Sequence, residues 1–300
     1  MNGSLVAFPT ETVYGLGADA TNQSAVARIY SVKARPINHP LIVHISSINH
    51  LAEWVSDVPE YAMNLARHFW PGPITLILKR SMLANDSITG GQDAVGLRVP
   101  SNQVALNLLT EFEKLGGCGV VAPSANRYGA VSPTSAKAVV AELANFMGKG
   151  DLILNDGPSL IGIESTIVDC TKSYPVLLRP GAVSKEMIQQ ITGLKYGLDS
   201  EELNVRVSGQ MASHYSPIAK VVLGRPTDQG HGFIALEDVS SPSGAIRLAA
   251  PKNMDEYARV LYQALRLADE LGLEKIFVVE PKGEGLAAAI RDRLHKAAAG

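Results

Sequence analysis

Cysteine is nearly absent from this chain: of 300 residues only Cys118 and Cys170 are cysteine. Two thiols cannot build a disulfide framework or a zinc module, and their apolar neighbours read as those of buried, reduced thiols in a cytosolic protein. The seven histidines are scattered. No C-x-x-C or H-E-x-x-H spacing occurs, so no protein-held metal is expected. A P-loop is excluded because G-x-x-x-x-G-K-[ST] occurs nowhere, and a G-x-S-x-G hydrolase elbow is missing as well. No window is apolar enough for a membrane span without a charge or a proline, and the start, MNGSLVAFPTE, lacks the basic region of a secretory signal. The expectation is a soluble, cytoplasmic protein with no membrane partner. An excess of one charge sign is missing too. Lys and Arg number 27 against 29 Asp and Glu, a formal net charge of −2, which argues against a general nucleic-acid coat and leaves room for a local basic cleft. No internal repeat or low-complexity tract is present.

What the chain does have is material for a core. It is 46% hydrophobic and 19% charged, and its length suits two domains. Through the first two thirds, SLVAF, PLIVHI, ITLIL, AVGLRV, CGVVA, DLILN, STIVD and PVLLR read as strands. NQSAVARIYSVK, VPEYAMNLARHF, NQVALNLLTEFEKL and TSAKAVVAELANFM alternate with them and carry apolar residues at helical spacing. The alternation predicts an α/β domain, with Asn102 and Thr134 as helix caps and Pro133 stopping the strand before it. Near Gly193 the texture changes. KYGLDSEELNVRVSGQMASHYSPIAK is polar and aperiodic, and reads as a linker long enough to be either disordered or functional. KVVLG, HGFIAL, an amphipathic helix from about Asp255 to Leu271, the strand KIFVVE and the helix GLAAAIRDRLHKAAA then form a small βαβ-type domain.

Several stretches carry candidate chemistry. In VAFPTETVYGLGADA, Gly15, Gly17 and Ala20 spell G-x-G-x-x-A after a strand, a weak dinucleotide hint with no acidic residue to support it near residues 38–40. Thr10, Glu11, Thr12 and Tyr14 stand between the strand and the glycines, where helix capping and site lining are equally open. In SVKARPINHPLIVHIS, Lys33 and Arg35 alternate, and Pro36 favours extended backbone at Arg35. Both cations are therefore expected on one side, suited to phosphate or carboxylate oxygens, with a solvated basic loop as the alternative. In the strand behind them Ile42 and His44 share one face, and Leu41, Val43 and Ile45 the other. A lone His44 is more often a hydrogen-bonded core residue than a ligand.

VVAPSANRYGAVSPT delivers Pro123, Ser124 and Asn126, then Ser132, from a buried strand spanning Cys118 to Ala122. That is the carboxyl edge where open α/β sheets bind ligands; a plain turn is the alternative. GIESTIVDC and PVLLRPGAV add Ser165, Thr166 and Arg179, and AVGLRVPSN adds Arg98. Arg35, Arg98, Arg179 and Lys33 each stand beside a strand and a proline. Should they converge, they make a pocket for a polyanion.

In order along the chain, FPTETVYGLG, K-A-R-P with PLIVH, FWPGPITLIL, APSANRYGAVSPT, GIESTIVD and LRPGAV resemble the YrdC-like family of L-threonylcarbamoyladenylate synthases. SGQMASHYSP with EGLAAAIRDRL resembles the longer, two-domain form of that enzyme, so the resemblance runs nearly end to end. It implies a twisted, open, mixed YrdC-like sheet with a central cleft over residues 1–194, a linker or lid over 195–219, and a small Rossmann-like α/β domain over 220–300. It also implies a nucleotidyltransferase that joins L-threonine, bicarbonate and ATP, with Mg²⁺, into threonylcarbamoyl-AMP and pyrophosphate. The product would supply a downstream tRNA threonylcarbamoyl transferase machinery acting on the adenosine beside the anticodon, with RNA contact as a lesser implied partner.

Position by position, Thr12, His44, Arg98, Ala122 and Ser165 are implied to line the L-threonine site, with Arg98 meeting the carboxylate. Lys33, Arg35, His39, Ser124, Asn126, Ser132 and Arg179 are implied to hold ATP or the adenylate, with Lys33 and Arg35 as the catalytic cations that discharge the pyrophosphate. Tyr215 of HYSP is implied to fold back over the nucleotide, the linker acting as a lid that keeps water from a labile mixed anhydride. The threonine amine and bicarbonate give a carbamate whose oxygen attacks the α-phosphorus, with catalysis by positioning and charge neutralisation.

Three departures carry their own expectations. The chain opens almost at its first core strand, where the family usually has a helix and a strand before it, so a truncation or mis-set start would leave part of the core uncovered. His39 stands where asparagine is frequent, and Ser208 where proline is, which predicts a weaker nucleotide contact and a looser lid. Two rival readings remain: an RNA-binding module without adenylate synthesis, and a carbamoyl-transfer hydrogenase maturation factor, which the shortage of cysteines disfavours.

Overall fold

A computed structural model of the chain describes residues 3–195, 205–209, 214–225 and 229–300. The first part is built on one mixed sheet of β1 (Val6–Phe8), β2 (Gly15–Asp19), β3 (Ile42–His44), β4 (Ile74–Lys79), β5 (Ala94–Arg98), β6 (Val120–Val121), β7 (Leu152–Ile153), β8 (Thr166–Asp169) and β9 (Val176–Arg179). Their order is β7-β1-β2-β6-β3-β5-β4-β8-β9. The pairs β1–β7, β3–β5 and β4–β8 are parallel and the others antiparallel. Its helices are α1 (Gln23–Lys33), α2 (Leu51–Trp54), α3 (Glu60–Phe69), α4 (Asp86–Thr89), α5 (Gln103–Lys114), α6 (Ala136–Leu143) and α7 (Lys185–Thr192).

GLGAD forms strand β2 rather than a phosphate-binding turn, and the dinucleotide hint falls with it. Gly17 is needed because β2 runs between β1 and β6. A Cβ there would lie 2.8 Å from Phe8 and 2.9 Å from Val120. The strand expected from Cys118 to Ala122 narrows to Val120–Val121, and Cys118 is only half-buried where Cys170 is fully so. Asn102 caps α5 as expected, accepting from the Ala105 amide. For α6 the cap is Ser135, not Thr134: its hydroxyl accepts from the Ala138 amide, an interaction worth about 1 kcal/mol.

The strand alternation is realised in β3. Leu41, Val43 and Ile45 enter the main core, while Ile42 and His44 turn to the opposite face and line a cleft. The last third forms an all-parallel sheet, order β10-β13-β11-β12, from β10 (Lys220–Leu223), β11 (Gly232–Ile234), β12 (Ile246–Ala249) and β13 (Lys275–Val278). Helices α8 (Met254–Glu270) and α9 (Leu286–Ala298) pack on it. Strand β12 has no counterpart in the sequence reading, because IRLA lies half-buried at the sheet edge and carries a weak apolar pattern.

The two parts share a core. Val13, Val131 and Ile163 pack with Tyr257, Leu261, Tyr262 and Leu265 of α8, Ile290 and Leu294 of α9, and Tyr215 between them. Each large apolar side chain so buried contributes about 1.5–3 kcal/mol. Of the linker expected over 195–219, residues 196–204 and 210–213 lie outside the described residues. The described stretches are anchored: Val207 joins the cluster of Ile77, Ala94 and Ile167, and the Ser216 amide donates to Gly129 O at 3.0 Å. Among the described residues no helix is long and apolar enough to cross a membrane.

Candidate active site

The mixed sheet ends several strands at one place. Arg98 closes β5, His44 closes β3, Ala122 and Ser124 follow β6, Ser165 precedes β8, and Arg179 closes β9. With Thr12, Arg35 and Tyr215 they line a single cleft, whose remaining cavity is about 50 Å³. A wider surface groove of about 1,100 Å³ beside β4 and α4 has among its lining residues none of the buried polar atoms left without a partner. Three of those atoms, Arg35 Nε, His214 Nδ1 and Tyr215 Oη, belong to the cleft. Buried polar groups are ordinarily satisfied, so orphans gathered on one wall mark a place that expects a polar ligand.

At one end of the cleft, Thr10 organises the loop after β1: its hydroxyl accepts from the Thr12 and Val13 amides and contacts the Thr12 hydroxyl at 2.8 Å. Of the cluster Thr10 to Tyr14, Thr12 and Val13 line the cleft while Tyr14 donates to Gly157 O at 2.6 Å, and α1 is capped by Asn22 instead. Arg98 Nη2 donates to Glu11 Oε1 at 2.6 Å with both side chains buried, and the other Glu11 oxygen accepts from the Ser101 amide at 3.0 Å. Parallel pairing sets His44 opposite Arg98. Burial, with the Arg98 charge added, pushes the imidazole down to about 3, so His44 is neutral at physiological pH.

At the other end stand two buried guanidiniums. Arg179 donates through Nε to Ser165 O at 3.0 Å, through Nη2 to Ser165 Oγ at 3.2 Å and through Nη1 to Ser208 O at 3.0 Å. Ser165 Oγ also lies 2.8 Å from Thr75 Oγ1. Arg35 Nη2 donates to Pro40 O and Ser208 Oγ, both at 2.9 Å. Ser208 thus ties its segment to both arginines, which corrects the expectation that serine at this position loosens it. Gly209 follows with φ +81°, where a Cβ would sit 2.4 Å from the Tyr215 hydroxyl. Tyr215 adopts a left-handed backbone, φ 62°, uncommon for a bulky residue, and burial raises its phenol to about 12.

Four expected site residues lie outside the cleft wall. The K-x-R stretch is not extended: Lys33 ends α1 and Ala34 is left-handed at φ 50°, which sends the two cations apart. The Lys33 ammonium donates to the main-chain oxygens of Ser124 and Asn126, and burial holds its pKa well below the usual lysine range. Asn126 donates to Arg127 O and Ala130 O, with Oδ1 left unpartnered. Ser132 donates to Glu164 Oε1 at 2.6 Å. His39 packs edge-on against Tyr128, ring centroids 5.3 Å apart, and burial beside Arg35 lowers its pKa.

Sequence reasoning missed Glu164 and two of its partners, Tyr262 and Arg293. Glu164 sits on the cleft wall, where it accepts from Ser132, from Tyr262 of α8 and from Arg293 of α9. One readable sign existed. Arg293 falls on the same helical stripe as Ala289, Ile290, Leu294 and Ala297, a charge on an otherwise apolar face.

A cleft at strand ends of an α/β sheet, holding three buried guanidiniums and no P-loop, is that of a protein that binds a compact, strongly anionic ligand. The Sua5–YciO–YrdC family model, described as telomere recombination, matches residues 1–181, and the model for the C-terminal domain of threonylcarbamoyl-AMP synthase matches residues 183–299. The chain is 38% identical over 316 residues to threonylcarbamoyl-AMP synthase of Pyrococcus abyssi, covering 98% of this chain and 90% of that one. It is 37% identical over 317 residues to the Bacillus subtilis protein of the same name, covering 99% and 90%. The crystal structure of P. abyssi Sua5 complexed with L-threonine matches with a TM-score of 0.87 at 36% identity, over 99% of this chain and 91% of that one. This chain therefore belongs to the two-domain Sua5 branch of the YrdC-like family.

Proposed function

We propose that this chain is a threonylcarbamoyl-AMP synthase that joins L-threonine, bicarbonate and ATP and releases pyrophosphate. The observation that carries the reading is the convergence of Arg35, Arg98 and Arg179 on one nearly closed cleft. The threonine end is Thr12, His44, Arg98, Ala122 and Ser165. Neutral His44 accepts or donates a hydrogen bond there without adding charge, and Arg98 meets the carboxylate while Glu11 holds it in place. Arg35, Ser124, Arg179 and Tyr215 hold the nucleotide, with His39, Asn126 and Ser132 supporting them. Lys33 acts from behind the wall, fixing the loop that carries Ser124.

As a nucleotidyltransferase the protein has little covalent work to do. The threonine amine adds to bicarbonate with loss of water, and the carbamate oxygen then attacks the α-phosphorus as pyrophosphate leaves. Arg35 and Arg179 neutralise the departing charge in a water-poor cleft, where such interactions are strongest. Glu11 and Glu164 are each held by an arginine, so neither is free to bind a resident cation. Mg²⁺ accordingly enters as MgATP. The cavity of about 50 Å³ is far below the roughly 300–1,000 Å³ of ligand sites. The segment bearing Ser208, Gly209 and Tyr215 must withdraw to admit ATP and return to exclude water, which makes residues 195–219 a lid between working units 1–194 and 220–300. An RNA-binding module is disfavoured because relatives similar to this chain over nearly its whole length are named threonylcarbamoyl-AMP synthase. The product is passed to a tRNA-modifying transferase in the cytoplasm.

The test is pyrophosphate release from ATP with bicarbonate and Mg²⁺. Release that depends on L-threonine supports the assignment; none from folded protein, with or without threonine, overturns it.

A further inference from the structure

Glu164 is the single carboxylate on the cleft wall among the described residues. An acid in a pocket for triphosphate repels its ligand unless its charge is answered. Here both oxygens are engaged. Oε1 accepts from Ser132 Oγ at 2.6 Å, and Oε2 from Tyr262 Oη at 2.9 Å and Arg293 Nε at 2.8 Å. Burial alone would raise this carboxyl, yet Arg293 and Arg179 hold it at about 2, so it is ionised. Arg293 is 1% exposed, also donates to Pro180 O at 3.0 Å, and lies over the Tyr215 ring at 5.3 Å. Tyr215 in turn stacks on Tyr262, centroids 5.6 Å apart.

We propose that Arg293 and Tyr262, both from the C-terminal domain, are positioning residues of the adenylate-forming site: they hold Glu164 neutralised and in place, through it set Ser132, and themselves brace Tyr215. The proposal rests on the threonylcarbamoyl-AMP reading of the cleft. A chemical corollary follows. Ser132 has one proton and gives it to Glu164, so it acts from behind the cleft wall, holding Glu164 rather than donating to a phosphate oxygen.

A mere tether between domains, once loosened, lowers stability without touching nucleotide affinity. The experiment is a double-mutant cycle of Tyr262→Phe, which removes one hydrogen bond at nearly constant shape, with Ser132→Ala. The expected result is a KM for ATP raised about tenfold by Tyr262→Phe, an unchanged KM for L-threonine, and no further rise when both changes are combined. Arg293→Lys, which keeps the charge and loses the fork, is the second variant should Tyr262→Phe fail to fold, with the same expectation. An unchanged KM for ATP, or effects that multiply, overturns the proposal. Should the unaltered protein bind ATP yet release no threonine-dependent pyrophosphate, the synthase reading fails alone, and the cycle is read on ATP affinity by calorimetry. Failure to bind ATP overturns both.

Discussion

Glu11 and Arg98 pair at 2.6 Å with both side chains buried, so the arginine at the proposed threonine end of the cleft already faces a carboxylate of its own chain. Breaking a buried pair from one side leaves an uncompensated charge. Glu11→Ala is expected to lower stability by about 3–5 kcal/mol, read from urea unfolding. A loss under about 1 kcal/mol would mean that solvent reaches Arg98, as in an exposed pair.

Lys33 and Arg35, separated by one residue and expected from the sequence to share a role, are expected to separate in experiment. Arg35→Gln removes a guanidinium from the cleft wall and is expected to raise the KM for ATP at least tenfold, leaving the KM for L-threonine alone. Lys33→Met strips the donor from two main-chain oxygens and is expected to reduce stability by about 2 kcal/mol. Steady-state kinetics and melting curves on both variants check the pair. An Lys33 variant that is stable but defective in ATP turnover would return that lysine to the catalytic machinery.

Acid stability carries the mark of His44 and His214, each pushed down to about 3 by burial from an ordinary 6.5. Their folded values lie below the unfolded ones, so as pH falls the unfolded chain takes up the protons first. Stability drops between pH 6.5 and 3, by about 1.4 kcal/mol per pH unit for each histidine. Glu164 acts in the same direction lower down: its contribution is complete above its ordinary 4.5 and is lost toward 2. Urea midpoints at about pH 7 and about pH 5 are expected to fall less for His44→Gln than for the unaltered chain. Equal falls would show that His44 is solvated.

Tyr215→Phe is expected to act with opposite signs on stability and function. Among the described residues its buried hydroxyl has no partner, and leaving such a group unsatisfied costs about 1–3 kcal/mol. Removing it should raise the melting temperature by about 2–4 °C per kcal/mol gained, and should raise the KM for ATP if the hydroxyl meets the nucleotide. A variant neither more stable nor weaker for ATP would place that hydroxyl in contact with solvent.

Much of the fold was legible because periodicity reports burial directly: β3, β4, β5, β8 and β9, and every long helix of the first part, fall where apolar spacing puts them. Failures came where a residue's conformation depends on a distant neighbour. Gly15 and Gly17 looked like a turn because their crowding by Phe8 of β1 and by Val120 and Ala122 at β6 depends on which strands pair, and local spacing does not report pairing. Arg35, Arg98, Ser165 and Arg179 were legible as strand-end chemistry, Thr12 and His44 only through the family resemblance, and all six line one cleft. Lys33 was misread because a left-handed Ala34 breaks the extended pattern that Pro36 suggested. Glu164 and Arg293 gave almost no local signal, since each makes sense only beside the other.

The hydrogen bond between Thr75 and Ser165 spans 90 residues of sequence, and that between Glu164 and Arg293 spans 129. No contiguous segment therefore contains the cleft, and contacts of such separation are slow to form because loop entropy is lost before they can compensate it. During synthesis, a chain that has not yet released its last helix from the ribosome lacks Arg293, the buried cation that answers the charge of Glu164. The last ion pair of the cleft thus waits on the last helix, and a chain still emerging carries that wall of the sheet without it.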